Sequence, residues 1–176
     1  MNASEKRKYH IRTAEPKDID VILQMIIELA VYEKEPDAVK ATPELLQKNL
    51  FEDKYANAIL AFSGDIPGEG QPMGLALYFF NFSTWTGRPG LYLEDLYVKP
   101  EYRGSGLGKA LFGRLGAIAQ EKGCPRLDWS VLKWNQPSID FYEKALHAKP
   151  MSEWLGMRLE EEGINNLKKF DKAYEN

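Results

Sequence analysis

Between the apolar run Leu91 to Val98 and a segment whose leucines recur at helical spacing lie eight residues, Tyr102 to Lys109, that read Tyr-Arg-Gly-Ser-Gly-Leu-Gly-Lys. A helix start leaves its first backbone N–H groups without partners and carries a partial positive charge. Glycines at that point let an anion, above all a phosphate, come close to the backbone. Each glycine also costs conformational entropy, so three in five residues at a helix start need a use. The chain must therefore contain a strand, glycine loop and helix in that order, and its function should begin with a phosphorylated cofactor.

Spacing separates the phosphate loops that compete for these residues. A Walker loop ends Gly-Lys-Ser/Thr and begins with glycine five positions earlier, but counting back from Gly108-Lys109 reaches Arg103, and Ala110 replaces the metal-binding hydroxyl. A dinucleotide fingerprint beginning at Gly104-x-Gly106 would need its third glycine at Lys109. Both fail. The pattern that fits is Arg-x-x-Gly-x-Gly at Arg103, Gly106 and Gly108.

With 176 residues, 44% hydrophobic and 28% charged, the chain is long enough for one well-buried domain, and it is expected to form a single domain over 1–176 with 1–8 and 163–176 flexible or peripheral. A net charge of −3 argues against a general nucleic-acid binder and suits a cationic substrate weakly. No run approaches the roughly 20 apolar residues of a membrane span, and the start lacks a signal-peptide core, so a cytoplasmic protein without a membrane partner is expected. The single Cys124 excludes an internal disulfide, and His10 and His147 lie too far apart to suggest a metal site or triad, so no metal is expected.

Tyr9 to Thr13 reads as a first strand, followed by a helix that opens at Pro16 to Asp20 and ends near Glu33. Thr42-Pro43 caps a second helix with Leu45, Leu46 and Leu50 as its buried face. Ala58 to Phe62, Met73 to Phe82 and Leu91 to Val98 read as strands; Gly123 and Pro125 stop the helix that begins at Leu107. Leu127 to Leu132 is expected as a strand, Pro137 to Leu146 as a helix, and Met157 to Glu160 as a last short strand. The fold class is α/β, a mixed sheet with parallel neighbours wherever a helix intervenes.

Four separated segments now agree: Leu29 to Glu33, Leu91 to Asp95, Tyr102 to Gly108, and Trp134 to Tyr142. In this order they resemble the GCN5-related N-acetyltransferases (GNAT), and within them the spermidine/spermine and thialysine N-acetyltransferase branch, over about Ile11 to Arg158. The resemblance implies a sheet of six to seven strands flanked by about four helices, splayed at an acetyl-coenzyme A site. It implies transfer of the acetyl group to a primary amine by direct attack.

That chemistry makes demands on particular residues. An alkylamine with a pKa of about 10.4 is only about 0.1% neutral at physiological pH, so a group must take its proton. The resemblance implies Glu94 for this, acting directly, through a water or by charge alone. The departing thiolate needs an acid, and Tyr142 is implied, with a phenol pKa of about 10. The cofactor's phosphates fall to Arg103, Gly104, Ser105, Gly106, Leu107, Gly108 and Lys109. Backbone groups of Leu96, Tyr97 and Val98 would bind the pantetheine arm as an added strand, with Asn135, Ser138 and Tyr142 also at the cofactor. Asn135 could equally cap the helix after it.

For the acceptor, Tyr32, Glu33, Trp85 and Glu94 are implied, an aromatic and acidic wall for a cation. The loop Ser83 to Arg88 lacks a carboxylate expected of polyamine enzymes, which favours a lysine-like amino acid or short diamine over spermine. The resemblance also implies a homodimer whose acceptor sites draw on both chains. Two alternatives stay open here: a protein or peptide N-acetyltransferase, and a coenzyme A-binding sensor without catalysis.

Overall fold

A computed structural model describes residues 8–67 and 69–172. The chain divides after Trp134 into two compact units. The first holds a five-stranded sheet in the order β1 (Tyr9–Thr13), β2 (Asn57–Ser63), β3 (Pro72–Ser83), β4 (Arg88–Val98) and β5 (Leu127–Trp129). Neighbours run antiparallel except β4 and β5, which are parallel and joined through a helix.

Helix α1 (Ile19–Tyr32) packs its buried Ile22 and Met25 on one face of the sheet, against Leu60 and Phe62 of β2, Leu75 of β3 and Tyr97 of β4. Its entry is fixed by Asp18, which accepts from Arg12 Nη1 at 2.6 Å, from Arg12 Nη2 at 2.8 Å and from the Glu15 N–H at 2.8 Å. Helix α2 (Pro43–Leu46) begins as the sequence indicates, with Thr42 Oγ1 accepting from the Leu45 N–H at 3.3 Å. Leu46 is buried there, and Leu50, in the π turn Gln47–Glu52 that follows, packs against the same core, but Leu45, about 100° round the helix from Leu46, is 49% exposed.

Helix α3 (Leu107–Glu121) covers the other face with Leu107, Leu111, Leu115 and Ile118. It comes so near that a Cβ at Gly74 would lie 2.9 Å from the Tyr97 carbonyl oxygen and 3.3 Å from Leu111 Cδ1. Only glycine fits that crossing.

The pairing of β3 with β4 contains one irregularity: Leu77 faces Asp95, but Tyr78 faces Leu93, so Glu94 is an extra residue on β4. Such a bulge reverses the in-and-out alternation beyond it. Leu91 and Leu93 share the face of Gly74 and α3, whereas Asp95 and Tyr97 share the face of Leu75 and α1. At the same point the parallel ladder with β5 stops at the pair Leu93 and Trp129. The edge of β4 from Glu94 to Val98 is thus open toward β5, the expected splay.

The second unit holds α4 (Gln136–Asp140), a wider π turn over Phe141–Ala145, and α5 (Glu161–Asn166), followed by a 3₁₀ turn over Leu167–Phe170. Two expected strands change. Leu127 to Leu132 shortens to Leu127–Trp129, and Met157 to Glu160 is not a strand; Met157 is 87% exposed and makes no ladder. Alternation of apolar and polar side chains cannot make a strand without a partner edge. Among the described residues the sheet has five strands, fewer than the six or seven expected. No helix of the described residues is long and apolar enough to cross a membrane.

Candidate active site

The glycine loop has the geometry its sequence implies. A 3₁₀ turn, Pro100–Tyr102, leads into Gly104 at φ 76° and Gly106 at φ 88°, left-handed conformations that glycine adopts without strain. Gly106 is the N-cap of α3, so no side chain caps the helix, and its first turn carries no acidic residue. A Cβ at Gly104 or Gly106 would meet nothing within 4 Å. The surface above the first N–H groups of α3 is therefore bare backbone, as an approaching phosphate requires. Ser105 does not point out of this loop: its Oγ donates to the Tyr102 carbonyl at 2.6 Å and holds the turn.

Arg103 is anchored rather than loose. Its Nε donates to the Val98 carbonyl at 2.9 Å, and its guanidinium carbon lies 5.0 Å from the Tyr32 ring and 5.8 Å from the Tyr97 ring. Tyr97 itself is buried, in the α1 core. Its phenol is shifted upward by burial first and by Glu28 next. Leu96 and Val98 lie on the open stretch of β4, so their backbone can meet an extended ligand arm.

At the bulge, Glu94 is exposed and Asp95 half-buried. Asp95 was not among the residues that sequence reasoning singled out, yet it is the strongly perturbed carboxyl of the site. Burial above all, with Glu94 and Glu33 nearby, raises it to about 6 from the ordinary 3.8. Glu33, at the C-cap of α1, is also raised, by burial. Desolvation and like charges together are the pattern by which acid–base groups are tuned. No signal in the local sequence distinguishes Asp95; its neighbour Glu33 is 62 positions earlier.

Tyr32 continues a run of aromatic contacts. Its ring centre is 6.2 Å from that of Trp134, and Lys34 Nζ lies 4.6 Å above the Trp134 ring. Trp85 stands apart from all of this. It lies in the β3–β4 turn, 89% exposed, and Arg88 is six residue steps of strand from Glu94, about 20 Å. The structure brings Glu33, Glu94 and Asp95 into one electrostatic neighbourhood but leaves Trp85 remote within the chain.

In the second unit, Asn135 is buried and its Oδ1 accepts from the Ser138 N–H at 3.4 Å, the helix-cap role left open by the sequence. Tyr142 falls in the π turn, its ring centre 5.5 Å from that of Phe141. Single wide turns of this kind recur at functional sites. Among the described residues no group of three His, Cys, Asp or Glu side chains could hold a metal ion.

The acetyltransferase (GNAT) family model matches residues 23–148, and the chain belongs to that family. It is an N-acetyltransferase. It is 42% identical over 164 residues to the thialysine N-epsilon-acetyltransferase of Sus scrofa, an alignment covering 89% of this chain and 95% of that protein. It is 35% identical over 145 residues to the human spermidine/spermine N(1)-acetyltransferase-like protein 1, covering 81% of this chain and 21% of that one. Among solved structures, an integron cassette protein from the mobile metagenome of V. cholerae superposes with a TM-score of 0.75 at 28% identity, covering 92% of this chain and 98% of the other.

Proposed function

We propose that this enzyme acetylates the terminal amine of a small lysine-like amino acid, of the thialysine type, in preference to long polyamines. The observation that supports this reading is the 42% identity to a thialysine N-epsilon-acetyltransferase over nearly the whole of that protein. The acceptor wall agrees with it: Glu33, Glu94 and Asp95 suit one cationic head. Acetyl-CoA, when bound, supplies an acyl thioester. Bare N–H groups at Gly106 to Lys109 and the Arg103 guanidinium would hold its phosphates, and the open β4 edge at Leu96 to Val98 its extended arm.

The chain's own groups would then do three things. Glu94, with Asp95 behind it, attracts the ammonium and receives the proton that the amine must lose. A backbone N–H beside the bulge stabilises the negative charge that develops on the carbonyl oxygen. Tyr142 gives a proton to the departing sulfur as the C–S bond breaks and the N–C bond forms. The remoteness of Trp85 supports a homodimer: its indole could line an acceptor site only in a second copy.

The test is free-thiol release from acetyl-CoA with thialysine, lysine, ornithine, putrescine, spermidine and spermine as acceptors. Thialysine and lysine are expected to lead, with spermine weakest. Dominant spermidine turnover would overturn the substrate class, and silence across the panel would point to a protein acceptor.

Asp95 gives a second test with opposite consequences for rate and stability. Its carboxylate is charged only above about pH 6, so kcat/KM should rise through that pH, and Asp95→Asn should erase the limb. For stability the sign runs the other way. The unfolded chain loses this proton near the ordinary pKa, before the folded chain does, so stability falls as pH rises toward 6. The full shift would be worth about 3 kcal/mol, and the group's partial exposure reduces this to about 1–2 kcal/mol. Asp95→Asn should therefore stabilise the protein at pH 7.5 by that amount and confer nothing near pH 3.5. Urea melts at the two pH values measure it.

A further inference from the structure

Resting on the reading of the glycine loop as the phosphate site, we propose that Tyr32 is a positioning residue for that loop, holding Arg103 in place from the acceptor side. Tyr32 is the last residue of α1, and Glu33 of the acceptor wall follows it directly. Arg103 belongs to the loop that follows β4 and leads into α3. The guanidinium bridges the two, 5.0 Å from the Tyr32 ring and 5.8 Å from the Tyr97 ring, with Nε fixed on the Val98 carbonyl.

A free arginine side chain samples many rotamers, and ordering it is part of the cost of binding an anion. Here three contacts have met that cost beforehand. Nε is committed to Val98, and the two terminal nitrogens make no hydrogen bond among the described residues. Those are the nitrogens that a phosphate can use in the bidentate manner particular to arginine. The Tyr97 wall of this slot is rigid, since that ring is buried and its hydroxyl interacts with Glu28. Glu28 in turn pairs with Lys99 at 3.5 Å. The Tyr32 wall is a half-buried ring at a helix end that also lies against Trp134.

This assignment moves Tyr32 from acceptor recognition to cofactor recognition. It also makes the end of α1 a shared wall: a change that shifts Glu33 for a new acceptor disturbs the arginine that holds the donor.

The experiment is coenzyme A titration by calorimetry on the full chain: wild type, Tyr32→Phe, Tyr32→Leu, Arg103→Ala and the Tyr32→Leu, Arg103→Ala pair. Steady-state KM values for thialysine are taken at saturating acetyl-CoA. Tyr32→Leu should weaken coenzyme A about three- to fivefold, the worth of one exposed cation–ring contact. Tyr32→Phe, which keeps the ring, should remain within about twofold. On the Arg103→Ala background, Tyr32→Leu should have no further effect. Weakening that persists on that background, or a rise in thialysine KM with coenzyme A affinity intact, would overturn the positioning role while leaving the loop reading in place. No loss of coenzyme A affinity in Arg103→Ala would overturn the arginine's phosphate contact itself and the positioning role with it.

Discussion

Replacing Tyr142 with phenylalanine should lower kcat by about 10²- to 10⁴-fold, the range lost when a positioned general acid is removed. The substitution deletes one oxygen and keeps the ring that packs toward Phe141, so coenzyme A affinity should stay within about twofold. An alkyl thiolate is the poorest part of the reaction as a leaving group, with a conjugate acid pKa of about 8.5. A donor with a much more acidic thiol, such as an acetyl arylthioester, needs no proton from the protein. The deficit of Tyr142→Phe should shrink toward wild type with such a donor. Thiol release with both donors, beside calorimetry, decides the matter: equal loss of binding and turnover, or the same deficit with both thioesters, would remove Tyr142 from the chemistry.

The largest stability effect is expected far from the chemistry, at Asp18. Asp18 and Arg12 are a bidentate pair with side chains 6% and 17% exposed, and the Arg12 guanidinium also lies 4.5 Å from the Phe62 ring. Burial by itself would push the Asp18 carboxyl upward, but hydrogen bonds from Arg12 and the Glu15 N–H, with the charge of Arg12, hold it below the ordinary range. Asp18→Ala leaves the guanidinium buried without a counter-charge and with only the Thr13 carbonyl, 3.1 Å from Nη1, to accept from it, and Arg12 Nε already has no partner. A cost of about 3–5 kcal/mol follows, or roughly 10 °C or more in Tm for a chain of this size. Because the folded carboxyl is the stronger acid, the pair's contribution is complete above the unfolded pKa. It is lost as pH falls through the folded one. The wild-type advantage over Asp18→Ala, read from thermal melts, should therefore narrow in acid; a pH-independent difference would show that packing alone is at work.

How much of this was legible in the chain varies with how local the physics is. The glycine loop was readable because helix starts and left-handed turns are decided within a few residues, and Gly104 and Gly106 adopt the positive φ that their identity permits. The Thr42 cap and the α1 stripe are of the same kind. The bulge was not readable, since it exists only in the register of β4 against Leu77 and Tyr78. Asp95 was missed for the same reason: nothing in Leu-Glu-Asp-Leu says which carboxyl will be desolvated, and Glu33 reaches it only through the fold. Met157 to Glu160 shows the reverse failure, a strand-like pattern that forms no ladder among the described residues.

The extra residue at Glu94 makes the pairing of β4 matter as much as its composition. Were Glu94 deleted, Leu93 opposite Tyr78 and Asp95 opposite Leu77 would become consecutive pairs, so Asp95 and Tyr97 would keep the face of α1, and Leu91 and Leu93 that of α3. The ladder would lose its kink and one exposed carboxylate, and the loop that begins at Lys99 would start in the same phase as before. Keeping Glu94 but pairing it regularly would do the opposite: Glu94 would take the place opposite Leu77, and Asp95 would turn into the leucine-lined face beneath α3. The acceptor wall of this chain can therefore be shortened at Glu94 without turning the strand over, whereas flattening the bulge at constant length would exchange its two faces.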